Sequence, residues 1–154
     1  MGQEAQIAAS DIAQALLEVT GNALMTGDFE AFKSAFHVPQ KMATLAGPIH
    51  METVEDMERA FREMCQHFKV IGLTEMIRTC VAAEYKSPAL VESTHVAELL
   101  RNGKRLNEPY PVFSTLQKID GVWKVTGSEY ALDPMNGQAL ALKKADASHR
   151  PNEN

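Results

Sequence analysis

Leu116-Gln117-Lys118-Ile119-Asp120-Gly121-Val122-Trp123-Lys124-Val125 is the stretch that decides the fold. It reads as strand, two-residue turn, strand. An Asp-Gly pair between alternating apolar residues is a strong hairpin signal, because a turn that matches sheet twist needs positive φ at both central residues. Alternation then sends Trp123 and Val125 to one face, and the only tryptophan of the chain demands a large surface to bury it. Two segments upstream of this hairpin keep the same two-residue period. Thr74 to Tyr85 places Ile77, Thr79, Val81, Ala83 and Tyr85 on one side, with Arg78, Cys80 and Glu84 on the other. Ser87-Pro88 turns the chain. Ala89 to Leu100 then sets Val91, Ser93, His95, Ala97 and Leu99 against Glu92, Thr94, Val96 and Glu98. Asn102-Gly103 is a second hairpin signal, and Tyr110 to Ile119 and Val122 to Leu132 complete four long strands in a meander. One face is apolar throughout. The other is mixed, since Met76, Val96 and Leu100 fall on it, which predicts helices on the first face and a partner subunit on the second.

The helices come first in the chain. Ile12, Ala15, Leu16, Val19 and Ala23 recur at three- and four-residue spacing over Ser10 to Met25. Thr26-Gly27 breaks this helix, and Asp28 caps a short one, Phe29 to Phe36, which Val38-Pro39 ends. Lys41 to Leu45 and Ile49 to Glu52 read as short strands joined through Gly47-Pro48. The clearest helix follows. Thr53 and Asp56 have the spacing of a reciprocal capping box, Val54, Met57, Phe61, Met64, Cys65 and Phe68 form an apolar stripe, and Gly72 supplies the stop. Residues 1–132 form the domain. The remainder, 133–154, reads as a polar tail, with a helical turn or two over Ala139 to Lys144 and disorder from His149 onward.

A chain of 154 residues is long enough to bury a real core, and 45% hydrophobic with 23% charged residues is the balance of a soluble globular protein. A net charge of −5, with Lys143-Lys144 the nearest approach to a basic run, excludes nucleic acid as the main partner. Cys65 and Cys80 sit in apolar patterns without metal-ligand spacing and read as reduced core thiols. No signal-peptide layout and no membrane-length apolar run occur, so a cytoplasmic protein that does not enter a membrane is expected. The five histidines show no metal spacing, and neither a serine elbow nor a phosphate-binding glycine loop is present, so no metal is expected.

Ala23-Leu24-Met25-Thr26-Gly27-Asp28-Phe29-Glu30-Ala31-Phe32 at the helix–helix corner, together with Asp120-Gly121-Val122-Trp123-Lys124-Val125, resembles the nuclear transport factor two-like superfamily and its SnoaL-like members. The likeness in element order spans Ser10 to Leu132. It implies an α+β, cystatin-like roll, a cone-shaped curved antiparallel sheet wrapped around the N-terminal helices. It further implies a pocket for a small hydrophobic molecule at the wide end, a homodimer through the outer sheet face, and no organic cofactor. Enzymes of the superfamily use an Asp, His or Tyr that projects into that pocket. The superfamily also holds non-catalytic assembly domains, so fold does not fix function.

His95, on the apolar face between Ser93 and Ala97, is the first candidate for a proton shuttle, against the alternative of a core histidine tied to a hydroxyl or carbonyl. Glu129 lies six residues past Trp123 and faces inward on an unbroken strand, where burial would raise its pKa and suit it to act as a base. A bulge at Gly127 would instead send Glu129 to solvent and put Tyr130 inside. Tyr85 is positioned to donate a hydrogen bond to a substrate oxygen, or to pack as an amphipathic core residue. Met57, Phe61 and Trp123 would wall the pocket. His37 follows the second helix, near where steroid-isomerase-like relatives place an acidic base, yet no Asp or Glu stands between Phe36 and Gly47. Two functions follow. One is a cofactor-independent isomerase, dehydratase or hydratase acting on a small oxygenated metabolite; the other is a non-catalytic dimeric ligand-binding or assembly domain.

Overall fold

The computed structural model describes residues 6–45, 47–131, 142 and 146. Two helices, α1 (Ala9–Thr26) and α2 (Phe29–Ala35), lead into strands β1 (Phe36–Thr44) and β2 (Gly47–Met51). The long helix α3 (Val54–Val70) follows, then β3 (Glu75–Ser87), β4 (Leu90–Arg101), the two-residue β5 (Lys104–Arg105), β6 (Tyr110–Ile119) and β7 (Val122–Tyr130). The sheet runs β2-β1-β7-β6-β4-β3, with β5 paired to β4. The meander is antiparallel as expected, but β1 joins β7 in parallel, so the sheet is mixed. This α+β architecture of helices packed on one face of a curved sheet is the one read from the sequence.

Local chemistry accounts for the element ends. Asp120 and Gly121 take φ of 50° and 80°, and Asn102 and Gly103 take 50° and 83°, the paired positive values a tight hairpin turn needs. Asp28 caps α2 by accepting from the Ala31 N–H. At α3 the capping box is complete: Thr53 Oγ1 accepts from the Asp56 N–H at 3.1 Å, and Asp56 Oδ2 accepts from the Thr53 N–H at 3.1 Å. Asp56 is fully enclosed and also binds Arg59 at 2.6 Å.

The core lies between the helices and the inner face of the sheet. Phe29, Phe32, Phe36 and Phe61 form one aromatic cluster where α2, β1 and α3 meet, with Phe32 stacked on Phe36 at 4.5 Å. Two local readings need correction. The buried side of α1 is Ile12, Ala13, Thr20 and Ala23, whereas Ala15 and Val19 face outward. Thr20 turns inward because its hydroxyl meets a charged side chain from β3. In β3 itself the inward residues are Met76, Arg78 and Cys80, then Ala83 and Tyr85, so Ile77, Thr79 and Val81 lie outside. The reason is a β-bulge. Cys80 pairs with His95 and Ala82 with Thr94, which leaves Val81 as an extra residue that reverses the alternation.

The proposed tail helix and terminal disorder lie outside the described residues. Leu142 and Asp146 are described; both are buried, and Asp146 meets His50 Nδ1 at 3.2 Å.

Candidate functional site

The register of β3, β4, β6 and β7 builds the site row by row on the inner face. Arg78, Ala97 and Tyr110 are successive cross-strand partners and form one row. The next holds Cys80, His95, Val112 and Tyr130, and the next Ala83, Ser93, Ser114 and Ser128. A fourth, Tyr85, Val91, Leu116 and Val125, is almost wholly apolar and closes the core. Arg78 is thus the diagonal neighbour of His95, within reach of a long side chain. A second bulge makes this pattern possible in β7. Leu116 pairs with Val125 and Thr115 with Gly127, so Thr126 is the extra residue. Past it Ser128 and Tyr130 face inward.

An interior cavity of about 50 Å³ opens over the first two rows. Phe61, Met64 and Phe68 of α3 and Leu142 form much of its apolar wall, and Arg78, His95, Tyr110 and Tyr130 supply its polar groups. A second space of about 30 Å³ lies on the α1 side of the same Arg78, His95 and Tyr130, floored by Ser93, Ser114 and Ser128. Small side chains in the third row leave this room.

Arg78 is the unusual member. It reaches across to α1, where Nη2 donates to the Leu17 carbonyl at 2.7 Å and to Thr20 Oγ1. Gly21 lies beside it, and a side chain there would come within 3.2 Å of Nη2. Its Nε is enclosed with no hydrogen-bond partner. Among the described residues no carboxylate pairs with Arg78, although seven ion pairs involve other residues. Arg78 keeps some accessible surface and lines both cavities. Burial holds its pKa below the ordinary guanidinium range, with Tyr130 and Tyr110 acting in the opposite direction.

His95 is 5% exposed. Burial, and after it the positive charge of Arg78, presses the imidazole down to about 3. At neutral pH it is therefore an uncharged ring with one N–H and one free lone pair. Among the described residues no protein group hydrogen-bonds to it. Burial pushes the Tyr130 phenol up, against the lowering effects of Arg78 and of a hydrogen bond with Ser128, so it stays a neutral O–H. The arrangement brings together a cation, a neutral imidazole and two phenols in an apolar chamber. It can bind an oxygen-bearing group, stabilise charge developing on it, and pass a proton.

Of the residues singled out from the sequence, His95 and Phe61 line this cavity. Glu129 is exposed on the outer sheet face, because the Thr126 bulge turns it to solvent and Tyr130 inward, the second of the two placements foreseen. Tyr85 lies two rows from His95; its hydroxyl donates to the Ile7 carbonyl at 2.6 Å, and its ring meets Trp123 edge-on at 6.2 Å. Trp123 thus packs against Tyr85 and does not line the cavity. Met57 is 1% exposed but belongs to the core beside the cavity, not to its wall. His37 lies half-buried on β1 with its carbonyl bound to Gln40 Nε2, also away from the cavity. Arg78, which the sequence reading put on the opposite face, and Tyr110 were not among the site candidates. A signal existed: Met76-x-Arg78-x-Cys80 puts the arginine on the same face as two apolar residues. Among the described residues no three His, Cys, Asp or Glu side chains gather as a metal site, and no helix is long and apolar enough to cross a membrane.

Solved structures with the same fold were found. A nuclear transport factor two-like protein of unknown function from Shewanella oneidensis MR-1 superposes with a TM-score of 0.64 at 15% identity, over 79% of this chain and 98% of that one. A domain of unknown function with a cystatin-like fold from Nostoc punctiforme PCC 73102 gives 0.64 at 15% identity, over 90% and 86%. A hexachlorocyclohexane dehydrochlorinase from Novosphingobium barchaimii LL02 gives 0.54 at 14% identity, over 80% and 85%. No protein-family model matches the sequence, and no curated protein is a significant match. At such identities the likeness is one of fold.

Proposed function

Taking the nuclear transport factor two-like fold as the premise, we propose that this chain binds a small, largely apolar, oxygen-bearing molecule in its interior cavity and transfers a proton on it without an organic cofactor. The carrying observation is the convergence of Arg78, His95, Tyr110 and Tyr130 in a chamber otherwise walled by Phe, Met and Leu. Few polar groups placed in an apolar cavity are the usual make-up of a small-molecule site. In the reaction, Arg78 and the Tyr130 hydroxyl stabilise an oxyanion as it forms, and the free nitrogen of His95 takes the proton from the neighbouring carbon. A base of such low pKa is weak in the empty cavity. It gains strength as negative charge develops beside it, because that charge offsets Arg78. Isomerisation and dehydration both begin with such a step. The fold neighbour from Novosphingobium barchaimii LL02 is a hexachlorocyclohexane dehydrochlorinase, an enzyme of elimination, which supports this reading.

The alternative is a ligand-binding domain without turnover. It is favoured by one observation: no described cavity-lining side chain is a carboxylate, and His95 is pressed far below neutrality. One experiment separates the two. Small ketones are incubated with the protein in D2O, and exchange at the carbon next to the carbonyl is followed by NMR, with saturation-transfer signals reporting binding. Exchange that requires the protein and disappears in His95→Gln, with binding kept, supports proton transfer. Binding with no exchange supports the alternative. Absence of both removes the proposal.

A further inference from the structure

We propose that the molecule held in the cavity is a short-chain monocarboxylate, whose carboxylate pairs with the Arg78 guanidinium while its hydrocarbon tail lies against Phe61, Met64 and Phe68. The inference rests on the reading of this cavity as a ligand site and adds the ligand's charge. A buried charge is costly unless an opposite charge or a full set of hydrogen bonds compensates it. Arg78 has neither: two bonds leave from one nitrogen, to Leu17 and Thr20, Nε is enclosed and unpartnered, and no described carboxylate reaches the guanidinium. A structural arginine is normally completed by its own protein. Here Nη1, neither hydrogen-bonded nor sealed off, is left to the cavities that Arg78 lines, and a planar carboxylate is the group that fits a guanidinium fork.

The size of the space limits the tail. An apolar cavity of about 150 Å³ takes benzene, so roughly a third of that suits an acid of about acetate size. The remaining groups agree. Tyr130 is a neutral O–H donor, and Ser93, Ser114 and Ser128 offer further donors on the α1 side. Among the described residues, the titratable or charged groups beside His95 are Arg78 and its cross-strand partner Cys80 from β3, Tyr110 from β6 and Tyr130 from β7; the helices contribute none to the cavity walls. A bound carboxylate therefore offsets the charge of Arg78, the cation that acts on His95 among the described residues, and moves the imidazole upward from its depressed value while the effect of burial stays.

The test uses the full chain and ligand pairs of equal shape. Acetate and propionate are titrated by calorimetry beside acetamide and propionamide, with sodium chloride and sodium nitrate as controls. Acetate is expected to bind at least about tenfold more tightly than acetamide, the difference a charge-assisted hydrogen-bond pair supplies. Arg78→Met is expected to erase that preference, and Arg78→Lys to retain part of it. The imidazole of His95, followed by NMR, is expected to titrate at higher pH when acetate is bound. Equal binding of acid and amide overturns the carboxylate and leaves the ligand pocket standing. Chloride or nitrate as effective as acetate overturns it also, reducing the site to one for inorganic anions. Failure of all acids overturns it while the ketone experiment still judges the pocket. Should Arg78→Met fail to fold, the acid–amide comparison in the unaltered chain and Arg78→Lys decide the matter.

Discussion

The depressed basicity of His95 makes stability depend on pH in a way that can be calculated. In the unfolded chain its imidazole titrates near 6.5, and in the folded protein near 3. The unfolded state therefore binds the proton more readily, so the contribution is fully present above pH 6.5 and is lost as pH falls toward 3. The loss grows by about 1.4 kcal/mol per pH unit inside that window, which gives about 2 kcal/mol at pH 5 relative to pH 7.5. Because the ring is nearly inaccessible to solvent, little of this is screened. His95→Gln removes the titrating group while keeping a polar side chain of similar reach. Urea unfolding of both proteins is measured at pH 7.5 and pH 5. Other groups titrate in both and cancel in the difference. The parent should lose about 2 kcal/mol more than the variant, or about 1 M in urea midpoint at an m-value of about 2 kcal/mol/M. Parallel losses in the two proteins would refute the placement of His95 as a buried, uncharged ring.

Three further outcomes follow from the geometry. Asp56→Ala removes two acceptor contacts at the start of α3 together with the Asp56–Arg59 ion pair, and should cost about 2 kcal/mol in chemical unfolding; a loss under half that would mean the cap is not needed. Gly121→Ala puts a side chain at φ 80° and should destabilise by about 1 kcal/mol, read as a lower thermal midpoint. Glu129→Gln should leave ketone exchange and acid binding unchanged, since that carboxyl lies on the outer face; a loss of activity would return Glu129 to the site.

How much of this was legible in the sequence depends on whether a feature is local. The Asp120-Gly121 turn, the Thr53–Asp56 cap and the break at Thr26-Gly27 are each decided by residues a few positions apart, and all were readable. His95 was readable because β4 keeps strict alternation over its whole length. Arg78 was assigned to the wrong face because Val81 is inserted three residues later, and an inserted residue looks like any other in an alternating run. Thr126 does the same in β7, where Gly127 gave a hint, and Glu129 was left open for that reason. The parallel pairing of β1 with β7 joins segments some 85 residues apart, which no local pattern encodes. Tyr110 enters the site only through its cross-strand neighbour Ala97.

The extra residue in β3 has a consequence for how this chamber can change. Cys80 and Ala82 already face consecutive partners on β4, His95 and Thr94, so removal of Val81 would leave an unbroken ladder with Arg78 still inside. Ironing the bulge flat with Val81 retained would instead slide the upstream half of the strand by one residue, sending Arg78 into water and Ile77 and Thr79 into the interior. One irregular rung thus separates a cationic chamber from a greasy one on the same scaffold.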